Sequence, residues 1–153
     1  MPINPNTDFS SGAVLTAAQQ NRFPRGIVAF GQTTTTDASI IAEEVTVTSS
    51  SFTAVANRYY RIHYYEPQVN TGSAAGSFFL GRIRRTNLVG TQLQQGILQV
   101  GEANFMFHLV WVGTLTAGST TIVATGAAGS GTWSASRGAT FPAQIIVEDI
   151  GPA

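Results

Sequence analysis

Two histidines, His63 and His108, are the only imidazoles in the chain, and they limit the metal and acid–base chemistry available to it. Each lies in a strand-like segment between apolar or aromatic residues. A zinc site needs about four ligands, or about three in a catalytic centre, so folding would have to bring a carboxylate to both histidines. The absence of cysteine removes thiolate ligands and thiol nucleophiles. We therefore expect no metal, no cofactor and no catalytic residue.

Other catalytic patterns are also missing. Gly129-Ser130-Gly131 lacks the glycine spacing of a nucleophile elbow, and the glycine-rich stretch 126–131 has no following lysine and helix, as a phosphate loop requires. We expect a loop or hairpin turn there. The adjacent carboxylates Glu43-Glu44 and Glu148-Asp149 should point to opposite faces of their strands, so neither pair can act together. These patterns indicate a protein that is not an enzyme.

Arginine supplies all eight cations of the chain, and Arg82, Arg84 and Arg85 form a basic cluster. Arg82 and Arg84 share a strand face, which could hold phosphate or an acidic partner. Because the formal net charge is zero, we favour salt bridges to an acidic residue of a neighbouring subunit, with Glu43, Glu66 and Glu102 as candidates.

The low charge content points to repeated protein–protein contact. Only 10% of the 153 residues are charged, against about 25% in an average domain, and interface cores are depleted in charge and enriched in arginine and aromatic residues. Neutral net charge argues against a nucleic-acid or membrane binder. No window reaches the ~18 apolar residues of a membrane span, and residues 1–9 lack the basic and apolar regions of a secretion signal.

The elements form a short arm followed by a β domain. Residues 1–25 are predicted to be an N-terminal arm, extended over Met1–Asp8 because of its prolines and asparagines. A helical turn follows, with Thr16 and Gln19 as its capping box, and Pro24 ends it. Residues 26–153 are predicted to form one antiparallel β-sandwich. Its nine strands are 26–32, 40–48, 58–66, 78–86, 92–100, 105–115, 120–125, 132–137 and 143–150, with a turn at 70–72 and a hairpin over Thr114–Thr120.

The segment Arg58–Glu66 has large side chains on both faces. Tyr60, Ile62 and Tyr64 share one face and should be buried. The opposite face carries Tyr59, Arg61, His63 and Tyr65, whose apolar bodies and polar tips are typical of subunit interfaces. The alternative is that loops or an edge of the same chain cover this face.

Three stretches resemble virion proteins of tailed phages. Gly12–Asn21, followed by Phe23–Gly26, looks like the G-x-x-L-T-A-x-x-x-N opening of small phage head and tail proteins. The other two are Arg58–Ile62 with Arg82–Arg84, and Pro142–Gly151, which resembles the terminal strand of those proteins. The resemblance implies a structural role in the virion and transfers no catalytic residue.

The strand pattern resembles the jelly roll of the tumour-necrosis-factor and C1q superfamily. Members of that fold are commonly trimers with aromatic contacts around a threefold axis. The resemblance therefore implies a homotrimer whose axis lies near either of two aromatic sets: Tyr59, His63 and Tyr65, or Phe105 and Phe107.

Together these patterns predict a capsid decoration (minor capsid) protein of a bacteriophage, assembled in the bacterial host cytoplasm and located in the virion. Its expected partners are further copies of itself and the major capsid protein. The alternatives are a minor tail or receptor-binding protein, with Trp133 as a glycan-stacking candidate, and a small ligand-binding barrel or enzyme. The residues expected in subunit contacts are Leu15, Phe23, Arg25, Tyr59, Arg61, His63, Tyr65, Arg82 and Arg84.

Overall fold

The computed structural model describes residues 11–70, 77–99 and 104–153. The predictions for Met1–Asp8, for the turn at 70–72 and for Glu102 lie wholly or partly outside these residues. A four-residue helix, α1 (Ala17–Gln20), precedes twelve strands. The strands are β1 (Gly26–Thr33), β2 (Asp37–Ile40), β3 (Glu44–Thr48), β4 (Phe52–Ala54), β5 (Arg58–Asn70), β6 (Phe78–Arg85), β7 (Gln92–Gln99), β8 (Phe105–Thr114), β9 (Gly118–Thr120), β10 (Ile122–Ala128), β11 (Trp133–Ala135) and β12 (Ala143–Pro152). Among the described residues, no helix has the length and apolar character needed to cross a bilayer.

Two antiparallel sheets form a sandwich, as the sequence predicted. The front sheet has the order β1-β12-β5-β8, and the far end of β5 also pairs with β11, which pairs with β2. The back sheet has the order β3-β10-β6-β7, and β4 pairs with β9 in a small third sheet. Strands adjacent in the front sheet are far apart in the chain, so the front sheet exists only in the folded domain.

Aromatic and branched side chains fill the space between the sheets. Tyr60, Ile62 and Tyr64 are almost fully buried, which confirms the face assigned to them from alternation. Phe79 of the back sheet packs edge-on against Phe107 of the front sheet, with ring centroids 5.2 Å apart. A Cβ on Gly81 would lie 2.2 Å from the Phe107 ring, so glycine at this position makes room for the ring.

Three local predictions were wrong because tertiary pairing overrides local pattern. The predicted strand 40–48 is two strands, β2 and β3, that lie in different sheets. The pairing of β3 with β10 shifts between Val45 and Val47, so Val45 is exposed while Thr46 and Val47 are buried. The hairpin predicted over 114–120 does not form, since β8 pairs with β5 and β9 pairs with β4. The stretch 126–131 is not wholly a loop, because residues 126–128 belong to β10.

Candidate interaction surface

The outward side of the front sheet, which we call the front face, brings together four predicted contact residues. Tyr59, Arg61, His63 and Tyr65 alternate with the buried residues of β5, and none of the four is buried. The described residues therefore leave this face partly open to solvent. Only Arg61 is exposed, and the other three are half-buried by neighbouring parts of the same chain, so the alternative of cover by the same chain stays open.

The neighbouring strands extend this face with apolar side chains that our sequence reasoning did not single out. Cross-strand register places Val110 and Ile146 opposite His63, and Val112 opposite Arg61. Phe30 of β1 lies opposite Ile146. Large apolar groups stay exposed in five places: Ile27 at 63%, Phe30 at 41%, Met106 at 59%, Val110 at 37% and Val112 at 54%. The signal in the sequence was the apolar character of both faces of β8, since Phe107 and Leu109 point inward while Val110 and Val112 point outward.

A polar chain crosses the middle of the front face. Arg61 Nε donates to Glu148 Oε2 at 2.6 Å, and His63 Nε2 lies 3.8 Å from the same oxygen. His63 Nδ1 lies 3.2 Å from His108 Nε2. The hydrogen bond from Arg61 lowers the pKa of Glu148. Burial, together with the positive potentials of His108 and Arg61, lowers the pKa of His63.

Arg82 and Arg84 lie on the opposite side of the molecule, on the outward side of the back sheet. Arg84 Nε donates to Glu43 Oε1 at 2.7 Å, and Arg82 Nη1 lies 3.1 Å from Glu43 Oε2. Burial raises the pKa of Glu43, but hydrogen bonds from Arg84 and Thr125 outweigh it and lower that pKa overall. The expected salt bridge to another subunit is therefore wrong for Glu43, because the bridge forms within one chain. Glu66 is wrong as well, since it is buried against Arg137.

The described part of the arm is attached at its end by a buried ion pair. Arg58 donates from Nη2 to Asp149 Oδ1 at 2.7 Å, and its guanidinium also donates to the backbone carbonyls of Asn21 and Phe23. The Arg25 amide donates to the carbonyl of Asp149. Before this anchor, the capping box of Thr16 and Gln19 forms as predicted, and α1 buries no residue. Among the predicted contacts, Leu15 is 40% and Phe23 39% exposed.

The hydrogen bonds of Arg58 to the arm predict different stabilities for two truncated proteins. Deleting residues 1–25 removes the two hydrogen bonds from the Arg58 guanidinium to the carbonyls of Asn21 and Phe23, and a hydrogen bond to a charged group contributes about 1.5–3 kcal/mol. Deleting residues 1–20 keeps both acceptors and should change stability little. Urea unfolding of both truncations measures the difference. Equal stability of the two would show that these hydrogen bonds do not hold the arm.

Two aromatic candidates are in the core and not on the surface. Trp133 is fully buried, and its indole Nε1–H donates to Ser77 Oγ at 2.7 Å, so the prediction of an exposed glycan-stacking ring is wrong. Phe107 packs between the sheets against Phe79 and Tyr64 and cannot lie at a subunit axis. Only Phe105, which is 40% exposed, remains from that second set.

A second polar cluster lies inside the sandwich. Arg137 donates from Nε and Nη2 to the two carboxylate oxygens of Glu66, at 2.8 and 2.7 Å. Tyr64 donates to Glu66 at 3.1 Å. Burial, with the charge of Glu66 beside it, raises the pKa of Tyr64 well above its ordinary value. Nearby, a hydrogen bond with Asp37 leads the causes that raise the pKa of Glu44 to about 7, followed by burial and the charge of Asp37.

The Asp37–Glu44 pair predicts a pH dependence of stability. Because the pKa of Glu44 is raised on folding, its contribution is fully present below its unfolded value near 4.5 and is lost as the pH rises through about 7. The Glu44→Gln variant keeps a hydrogen-bond donor at every pH. The unfolding temperature should therefore fall more between pH 6 and pH 8 for the wild type than for the variant. Parallel losses would contradict this assignment.

Two histidines and a carboxylate come together on the front face. Folding does bring His63 and His108 together, with Glu148 beside His63. The three groups lie on outward positions of a sheet, and among the described residues no cluster of three or more histidine, aspartate or glutamate side chains could hold a metal ion.

Comparison with known proteins supports the fold and no more. No protein-family model matches the chain, and no curated protein matches it. The structure of Eiger TNF from S. frugiperda is similar, with a TM-score of 0.54 at 11% identity over 84% of this chain and 96% of that one. A carbohydrate binding module of Cellvibrio mixtus lichenase 5A, in complex with cellotriose, gives a TM-score of 0.33 at 12% identity over 80% of this chain and 98% of that one. The TM-score of the first shows a TNF-like jelly-roll β-sandwich.

Proposed function

We propose that this chain is a structural protein of a bacteriophage virion that assembles as a homotrimer through its front face and decorates the capsid. It acts by binding folded subunits and not by catalysis. The observation that carries the self-association is the front face, a four-stranded surface with exposed apolar groups on both flanks of a neutralised polar strip.

The composition of the front face favours contact with a second copy over contact with solvent. Val110 and Val112 flank the strip on one side, and Ile27 and Phe30 on the other. Their exposure leaves apolar surface whose burial would yield roughly 25 cal/mol per Å². The back sheet also has exposed apolar groups, Val45 and Ile97, but its outward side is occupied by the ion-paired cluster of Arg82, Arg84 and Glu43. Gln95 is hydrogen-bonded to Arg82 in that cluster.

Charge permits copies of this face to meet. Arg61 and Glu148 neutralise each other within the chain, and a neutral imidazole pair, in which one ring donates to the other, adds no charge to the face. Two identical faces therefore do not repel each other. The trimer, as opposed to another oligomer, is inferred from the resemblance to the TNF and C1q superfamily.

The virion role is inferred from the resemblance of the chain's ends and middle to tailed-phage proteins. The described part of the arm supports this role. Val14 is 90% and Leu15 40% exposed, and the arm is fixed to buried Arg58 of β5 only from Asn21 onward. The arm is therefore available to a neighbouring protein, for which we propose the major capsid protein. A repeated weak contact of this kind gains avidity when each trimer engages several sites.

Quantification of the protein in purified virions tests the capsid assignment. Copies in a fixed ratio to the major capsid protein are expected, and the truncation of residues 1–20 should keep the trimer but fail to bind heads. A low copy number in the tail fraction would assign the chain to the tail. Absence from particles would contradict the virion role altogether.

A further inference from the structure

The two histidines meet in the middle of the front face although 45 positions separate them in sequence. Their rings are nearly parallel, with an interplanar angle of 15° and centroids 5.4 Å apart. In a neutral pair, one ring nitrogen donates a hydrogen bond and the other accepts it. In this form the two facing ring nitrogens are hydrogen-bonded to each other and neither ring is charged, so another subunit can cover the pair.

The charged groups around the pair come from each packed strand. β5 contributes Arg61 and Tyr65, and β12 contributes Glu148. The other described outward residues of β8 next to His108 are apolar, Met106 and Val110. Glu148 is already held by Arg61 at 2.6 Å, while it is 3.8 Å from His63.

A proton added to either imidazole therefore meets an unfavourable environment. The shared hydrogen bond persists after one protonation, but the pair becomes a cation beside Arg61, and a second proton would place two cations 3.2 Å apart. The charge of Glu148 favours the protonated form of His63, but burial and the positive potentials of His108 and Arg61 outweigh it. Covering this site with another subunit removes the water that would otherwise solvate the charge, and an uncompensated buried charge is costly.

We propose that the His63–His108 pair is a pH-sensitive switch that disassembles the oligomer when the medium is acidified. The proposal rests on self-association through the front face and adds its regulation. The sign follows from linkage: single chains bind protons at the pair more tightly than the assembled form, so protons favour dissociation. The lowered pKa of His63 already present in the uncovered chain has the same direction and cause.

The size of the effect follows from the protons involved. Each proton that is taken up on dissociation changes the dissociation constant about tenfold per pH unit below the pKa of the free pair. A shift from pH 7.5 to pH 5 should therefore weaken assembly by about tenfold per subunit for each pH unit that lies below that pKa.

Sedimentation at pH 7.5, 6.5, 5.5 and 5.0, with near-ultraviolet circular dichroism of the same samples, tests the switch in three proteins. They are the wild type, the double variant His63→Gln/His108→Gln, and Glu44→Gln as a matched control, since Glu44 also titrates near neutrality but lies in the back sheet. We expect the wild type and the control to dissociate on acidification with their folded signal intact. The double variant should stay assembled down to pH 5.0.

Each other outcome overturns the proposal in a distinguishable way. If the wild type stays assembled at pH 5.0, if the double variant dissociates as the wild type does, or if dissociation coincides with unfolding, the switch is wrong and self-association stands. If all three proteins are single chains at pH 7.5, self-association through the front face is wrong and the switch falls with it.

Discussion

Replacing Val110 with arginine is expected to convert the assembled protein into single chains. Val110 lies beside His63 in the middle of the front face and is 37% exposed. The substitution places a second cation near Arg61, and every copy would bring one to the same contact. A buried charge without a partner costs several kcal/mol, so association should weaken by at least ~100-fold, which corresponds to about 2.7 kcal/mol.

The matched control for Val110→Arg is the same change on the other sheet. Ile97 is an exposed apolar strand residue, at 60%, on the edge strand of the back sheet. The Ile97→Arg variant should sediment as the wild type does. If Val110→Arg stays assembled, or if only Ile97→Arg dissociates, the front face is not the contact.

Loss of Arg137 is expected to lower the free energy of unfolding far more than loss of an exposed arginine. The side chains of Arg137 and Glu66 are 4% and 0% exposed, so the Arg137→Met variant leaves the buried carboxyl group of Glu66 without its cation. Breaking a buried pair in this way costs about 3–5 kcal/mol. Urea unfolding measures this loss, and it is best done in the Val110→Arg background so that assembly adds nothing to the stability.

Two further variants separate the buried charge from the lost side chain. In the double variant Glu66→Gln/Arg137→Met, the side-chain amide at position 66 still accepts a hydrogen bond from Tyr64, and no ionisable group is buried without a partner. The double variant should therefore be more stable than Arg137→Met alone. Arg61→Met removes the cation of the more exposed pair with Glu148 and should change stability little. If Arg137→Met and Arg61→Met cost the same, burial of the Glu66 pair has no energetic consequence.

Local patterns were enough to predict the sandwich and the faces of its longest strand. Alternation along β5 assigned Tyr60, Ile62 and Tyr64 to the core because the side-chain period of a strand is two residues. Capping chemistry at Thr16 and Gln19 likewise depends only on residues three apart. These features need no knowledge of what the rest of the chain does.

Contacts between distant segments could not be predicted from one sequence. The pairing of His63 with His108, of Arg58 with Asp149 and of Glu66 with Arg137 depends on strand order and register. A register shift of one residue turns every side chain of a strand to the other face, as the bulge between Val45 and Val47 illustrates. The candidate surface was therefore only half predicted: β5 supplied its centre, and β1, β8 and β12 supplied flanks that only the folded sheet reveals.

The fold and the surface together explain how a chain with so few charges could serve as a building block. Its back sheet satisfies arginines internally through Glu43, and its front face leaves apolar groups for another copy. The described arm is held by Arg58 at one end and exposed along the rest. Under the proposed function, such a subunit would make two separate contacts, one through a sheet face with other copies and one through the arm with a second partner.

Sedimentation of the wild-type protein at neutral pH over a wide concentration range tests self-association most directly. We expect a species of three times the 16.1 kDa chain mass that persists on dilution to micromolar concentration. A single-chain mass at the highest concentration would contradict it.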